Sequence, residues 1–305
     1  MAKGGVPRAD PTQIGDVATP VFARLPDPAL LFRTRGERFT TLARGHDLKP
    51  YLLFLAGLSD AQHRVQEGLP NAEPPEAESR SRAREFGMPP LDRGRFTADP
   101  VLEATLGGLL ALAGAIEMPP TAAEALARVR DASDLLSDTM IRSVLDVSIP
   151  VEALAEHAFV AAALQVHFAR LAARLDAAAL VPVGDGVCPV CGSPPTATMI
   201  VGWLGAHGAR YCGCSLCGTL WNYVRVKCVL CASTKGIAYK EVEGSAGTVK
   251  AETCTSCRGY VKIMQQHKDP AVEIVADDVA SLALDLLMRD TDFRRGGVNA
   301  FLLGY

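Results

Sequence analysis

The chain has 305 residues, 49% of them hydrophobic and 21% charged, and a net charge of −3. That composition excludes a chain disordered overall, and the small net charge points to no partner of opposite sign. The longest uncharged run in the apolar helical segments, residues 104–116, is too short to span a bilayer, and the first sixteen residues hold no apolar core of a secretion signal.

Residues 1–20 are rich in Gly, Pro and polar groups and read as a loose arm. Asp27 followed by Pro28 reads as a helix cap and first turn, with the helix running to about Leu42. A second helix follows Pro50, with Tyr51, Leu52, Leu55, Leu58 and Val65 mostly on one face, and stops near Gly68 to Pro70. Residues 70–100 carry six prolines and read as a long loop, in which Arg80, Arg82 and Arg84 form a solvated charge run. Helical pattern then fills residues 101–180. One helix ends before Pro119 and Pro120. A second, capped by Thr121 with Glu124 as a capping box, runs to about Leu145, and Pro150 opens a third. Residues 21–182 are therefore expected to form an all-α bundle of five or six helices.

All nine cysteines lie between Cys188 and Cys257, and eight fall into four Cys-x-x-Cys pairs. Two copies of C-x2-C-x22-C-x2-C stand end to end, the spacing of paired tetrahedral metal sites. A tetrathiolate site draws its ligands from two tight turns, and Gly192 and Gly218 after their pairs supply the backbone freedom such turns need. Equal spacing favours neighbouring pairs: Cys188, Cys191, Cys214 and Cys217 as site one, and Cys228, Cys231, Cys254 and Cys257 as site two. Alternating segments such as residues 219–227 read as strands, so residues 183–226 and 227–270 are expected to form two tandem ribbon-like β modules. Residues 181–187 read as a Gly/Pro hinge into them. After Pro270, a helix capped by Asp277 or Asp278 is expected, followed by an apolar tail, together residues 271–305. The fold class is α+β.

Four thiolates accept Zn²⁺ or iron, and closed four-coordinate sites leave no position for a substrate. Two rival readings remain. One is a thiol-disulfide redox protein using a Cys-x-x-Cys pair or the ninth cysteine, Cys212. None of the four pairs sits at a strand-to-helix junction, and Cys212 reads as a small buried hydrophobe in a strand. The other is a zinc-ribbon nucleic-acid binder. Residues 186–269 hold nine Lys/Arg against four Asp/Glu, but eight thiolates and two divalent ions would bring the loaded module close to neutral. His63, His157, His167 and His207 form no ligand set. Gly-x-Ser-x-Gly, Walker A and His-Glu-x-x-His are absent from the sequence, and no catalytic residues are expected.

The sequence resembles the family of formate dehydrogenase accessory proteins called FdhE. The resemblance is carried by Cys188-Pro-Val-Cys-Gly192, Cys214-Ser-Leu-Cys217 with Trp221, Val224-Arg-Val-Lys-Cys228, Lys250-Ala-Glu-Thr-Cys254, Tyr260-Val-Lys262 and the run from Lys268 to Asp285. Arg24-Leu-Pro-Asp-Pro28, Gly45-His46 and Tyr51-Leu-Leu-Phe-Leu-Ala56 carry it in the helical half. Membership implies a cytoplasmic, non-catalytic maturation factor that associates with the catalytic subunit of respiratory formate dehydrogenase. It also implies that the eight paired cysteines are ligands in rubredoxin-like, iron-binding modules. Cys212 stands outside that pattern, and the tail has Ala300 where the family suggests proline.

Overall fold

The computed structural model describes residues 20–302. The loose arm expected over residues 1–20 lies outside the described residues except for Pro20, as does the end of the apolar tail, residues 303–305.

The helical half forms where caps and apolar stripes coincide. Helix α1 (Pro28–Leu42) starts at Asp27, whose carboxylate accepts from the Ala29 N–H at 3.0 Å, with Pro28 in the first turn. Helix α2 (Lys49–Val65) packs beside it and buries Leu52, Leu55, Leu58 and Val65. The proline-rich segment is not a plain loop. It holds helix α3 (Ala77–Glu85), which buries no residue and so shows no apolar stripe. Helix α4 (Pro100–Ala113) is capped by Asp99, which accepts from the Leu102 N–H at 2.7 Å. The helix expected from Thr121 to Leu145 is two. α5 (Pro120–Arg130) starts on Pro119 and Pro120, not on a Thr121 cap, and α6 (Asp134–Leu145) starts where Ser133 accepts from the Leu136 N–H. Among the described residues seven α-helices therefore lie before residue 173, against the five or six expected.

Helix α7 (Leu154–Ala172) lies at the centre and is buried on all sides from Phe159 to Ala169. Its alanines let neighbours approach closely, and one amide organises the polar contacts inside. Gln165 Oε1 accepts from Arg35 of α1 (3.0 Å) and Gln62 of α2 (3.2 Å), while its Nε2 donates to the Ser215 carbonyl (3.0 Å).

The two ribbons share one sheet. Strand β1 (Ala23–Arg24) comes from the start of the chain. β2 (Pro195–Ile200), β3 (Arg210–Cys214) and β4 (Leu220–Asn222) make the first ribbon. β5 (Ile237–Lys240), β6 (Val249–Cys254) and β7 (Gly259–Gln265) make the second, and β8 (Arg294–Arg295) adds to β7. The order is β1-β4-β3-β2-β7-β6-β5. The modules join through parallel pairing of β2 with β7, Thr198 opposite Ile263 and Ile200 opposite Gln265. The strand expected over residues 219–227 stops at Asn222. The 181–187 segment is packed in place: a Cβ on Gly186, whose φ is 67°, would lie 1.8 Å from the Val229 carbonyl oxygen of the second ribbon.

After the sheet, α8 (Ile274–Ala280) and α9 (Leu282–Arg289) cover one of its faces. Neither Asp277 nor Asp278 caps α8. Glu273 does, accepting from the Ala276 N–H at 2.7 Å. The two aspartates lie inside the helix as buried ion partners. Asp277 takes a forked contact from Arg38 of α1, at 2.6 and 2.9 Å. Asp278 and Asp285 surround Lys262 of β7, at 3.4 and 2.5 Å, and Arg295 of β8 bonds both, at 2.6 and 2.5 Å. Burial alone would raise the Asp278 carboxyl, but Lys262 and Arg295 outweigh it and hold the group below its ordinary range. The tail docks back: Phe301 and Leu302 are buried, and the Tyr51 hydroxyl donates to the Phe301 carbonyl at 2.6 Å.

Lys262→Met would leave two carboxylates in the interior with one cation between them. It is expected to cost about 3–5 kcal/mol in denaturant unfolding. His167 of α7 is buried beside Phe96, with Nε2 3.6 Å from Asp99. Burial, helped by Arg170 and opposed by Asp99, places its pKa below 6.5. The unfolded chain therefore takes up this proton first. The stability His167 contributes is complete above about pH 6.5 and is lost as pH falls towards the folded value. His167→Gln is expected to flatten the acid limb of a plot of urea midpoint against pH.

Candidate metal centres

Each Cys-x-x-Cys pair closes a tight turn in which backbone N–H groups point at sulfur. In the first turn the Gly192 N–H donates to the Cys188 carbonyl (2.9 Å) and the Val190 N–H to Cys188 Sγ (3.4 Å). In the next, Leu216 and Cys217 both donate to Cys214 Sγ, at 3.4 and 3.3 Å. The third repeats the first: Ala232 N–H to the Cys228 carbonyl (2.9 Å) and Leu230 N–H to Cys228 Sγ (3.4 Å). All four turns leave through a residue with positive φ. These are Gly192 (73°) and Gly218 (74°) in the first ribbon, but Ala232 (62°) and Arg258 (55°) in the second. An L side chain in that region costs on the order of 1–2 kcal/mol, so the second ribbon carries strain that the first avoids.

The turns bring the sulfurs together in fours. The Sγ atoms of Cys188, Cys191, Cys214 and Cys217 lie within 4.8 Å of one another, as do those of Cys228, Cys231, Cys254 and Cys257. Contacts in the first cluster are 3.4, 3.6 and 3.7 Å, and in the second 3.8 and 3.9 Å. A tetrahedral ion with metal–sulfur bonds of about 2.3 Å sets its sulfurs about 3.8 Å apart, so both clusters have the size such an ion needs. Their electrostatics point the same way. Burial raises the Cys188 and Cys217 thiols well above their ordinary value. In Cys191 burial acts in the same direction, but contacts from Cys188, Cys214, Cys217 and Ser193 outweigh it and hold the group well below. Four buried sulfurs at this spacing share charge poorly without a cation.

The two clusters differ in their surroundings. The first is walled in. Backbone N–H groups of Leu91 and Arg93 donate to the carbonyls of Val190 (2.9 Å) and Cys191 (3.1 Å), so the proline-rich segment docks on the first turn. Gln165 holds Ser215 of the facing turn, and Leu31 of α1 packs beside Gly218. The second cluster lies open: Cys231 and Cys257 are exposed, and the neighbouring Ser233 and Ser256 hydroxyls, 3.0 Å apart, are exposed as well.

Cys212 joins neither cluster. It lies in β3, fully buried, and burial pushes its thiol up to about 12, so it stays protonated at neutral pH. It faces a buried Arg210–Glu252 pair (2.7 Å), a feature with no local sequence signal. Of the histidines, His157 and His167 are buried in α7 and His207 is exposed, and none approaches the sulfurs closely enough to join either set. Among the described residues no helix is long and apolar enough to cross a membrane.

An all-α domain that buries one tetracysteine ribbon, with a second ribbon fused to it through a shared sheet, defines a two-cluster cysteine-ribbon protein. Signatures described as FdhE N-terminal, central and C-terminal domains match residues 20–185, 187–225 and 226–302. The chain belongs to the FdhE family. It is 49% identical over 298 residues to a protein FdhE homolog of Rhizobium meliloti, covering 97% of each chain. It is 34% identical over 285 residues to protein FdhE of Salmonella arizonae, covering 92% of this chain and 90% of that one. The crystal structure of the FdhE protein from Pseudomonas aeruginosa is similar throughout, with a TM-score of 0.82 and 34% identity, covering 93% of this chain and 99% of that one.

The difference in exposure generates a measurement. A chelator added to metal-loaded protein is expected to empty the second cluster first. Alkylation followed by mass spectrometry should then label Cys231 and Cys257 well before any residue of the first cluster, with Cys212 labelled only on unfolding.

Proposed function

We propose that the protein is a cytoplasmic, non-catalytic accessory factor for formate dehydrogenase that binds the enzyme's catalytic subunit. On this reading Cys188, Cys191, Cys214 and Cys217 hold one metal ion, iron or zinc, and Cys228, Cys231, Cys254 and Cys257 hold another. The observation that carries it is the pair of sulfur clusters of tetrahedral size in a chain of the FdhE family. An ion bound by four thiolates has no open position for a substrate, so its part is to lock two turns together and fix a surface. Clustered thiols need a reducing compartment, which supports the cytoplasm. The rival redox reading through Cys212 loses its nucleophile, because that thiol is buried and protonated.

The test is co-purification without air. Tagged protein is expected to carry two metal ions and to capture the formate dehydrogenase catalytic subunit, with visible absorption if the ions are iron. Protein that is loaded and folded but captures no catalytic subunit would overturn the proposal.

A further inference from the structure

The sheet ends at β5, and what faces outward there is specific. β5 pairs with β6 on one side, and among the described residues no strand pairs with the other. The Thr255 N–H donates to the Gly236 carbonyl at 2.9 Å, which sets the alternation. Gly236, Ala238 and Lys240 turn their backbone groups towards β6, and Ile237 and Tyr239 turn theirs away. The strand is exposed at Ala238, Tyr239 and Lys240, and the Tyr239 ring stands half out of the surface. Glu252, Arg210 and Arg225 all lie close enough to the Tyr239 phenol to act on it electrostatically, Glu252 the most strongly, and Val224 and Val226 beside Arg225 are more than half exposed.

Positive charge is in excess at this edge, with Lys235, Lys240 and Arg225 against an exposed Glu243. Among the described residues Lys235, Lys240 and Arg225 make no ion pair, whereas the nearby Glu241 is taken up by Lys250 at 2.9 Å. Lysines on an edge strand discourage pairing with another copy, because like charges would meet across the new ladder. An acidic strand meets no such penalty. Tyrosine and arginine are also residue types that anchor protein interfaces.

We propose that β5 receives an acidic, extended segment of the partner protein by strand addition. Ile237 and Tyr239 supply the backbone hydrogen bonds, and Lys235, Lys240 and Arg225 supply the charge complement. This rests on the reading that the chain serves a protein partner, the formate dehydrogenase catalytic subunit. The edge is tied to the second sulfur cluster. Thr255, which holds Gly236, lies inside the Cys254–Cys257 turn, and the Ser233 hydroxyl, beside the Cys228–Cys231 turn, accepts from the Lys235 N–H at 3.2 Å. A metal ion in that cluster therefore steadies the strand that docks.

Hydrogen exchange on the metal-loaded full chain, with and without the catalytic subunit, tests this directly. The Ile237 and Tyr239 amides should slow at least about tenfold in the complex, the effect of one net backbone hydrogen bond. Tyr239→Pro removes an outward N–H without touching the ladder to β6 and should weaken capture of the subunit about tenfold. The double variant K235E/K240E should weaken capture and remove its sensitivity to salt, and it decides the matter if the proline variant loses metal or fails to fold. If wild-type protein captures the subunit while both amides exchange as before, strand addition at β5 is overturned and the accessory reading stands. If wild-type protein captures nothing, both fall together. If the variants change self-association and leave subunit capture intact, the edge pairs with a second copy and the proposal is wrong.

Discussion

Four sulfur atoms within 4.8 Å of one another impose the constraint on which this architecture depends. Such a cluster is stable only if turns from two separate parts of the chain are held face to face, and only if negative charge on the sulfurs is balanced. The first cluster meets that demand by recruiting the helical domain: Leu91, Arg93, Gln165 and Leu31 all brace its turns. The domain boundary is therefore part of the site's support. The helices and the first ribbon share one apolar core, from Phe32 and Phe159 to Val190, Leu216 and Trp221, with backbone hydrogen bonds at its rim.

The second cluster is built on the same turns and used differently. Its two exposed sulfurs, its strained exits at Ala232 and Arg258 and its open flank at β5 place it at the accessible end of the sheet. Parallel pairing of β2 with β7 keeps it in register with the buried cluster while leaving one side clear. One buried site and one open site on a common sheet combine a fixed base with a surface that responds to its surroundings.

Much of this was legible in the sequence because it is local. Asp27-Pro28 announces α1, the apolar stripe announces α2, and cysteine spacing announces which sulfurs meet. What escaped is held by partners far along the chain. Asp277 and Asp278 look like caps until Arg38, Lys262 and Arg295 arrive beside them, and a carboxylate carries no local mark of an ion partner 239 residues away. The docking of residues 91–93 uses backbone groups, which any side chains can supply. Helix α3 buries nothing and so shows no period to read. The fusion of the two ribbons joins strands that are not consecutive, and such pairing leaves no pattern in either segment.

The edge opposite β5 is closed by β1, in which Ala23 pairs with Trp221 and Arg24 with Leu220. The two ends of that contact lie nearly two hundred positions apart. At ribosomal speeds of about 5–20 residues per second, the first strand waits roughly 10–40 s before its neighbour exists. Arg38 and Arg35 wait longer still for Asp277 and Glu273. During synthesis the helical half therefore carries an unpaired strand until β4 is made, and buried-type arginines until α8 is made.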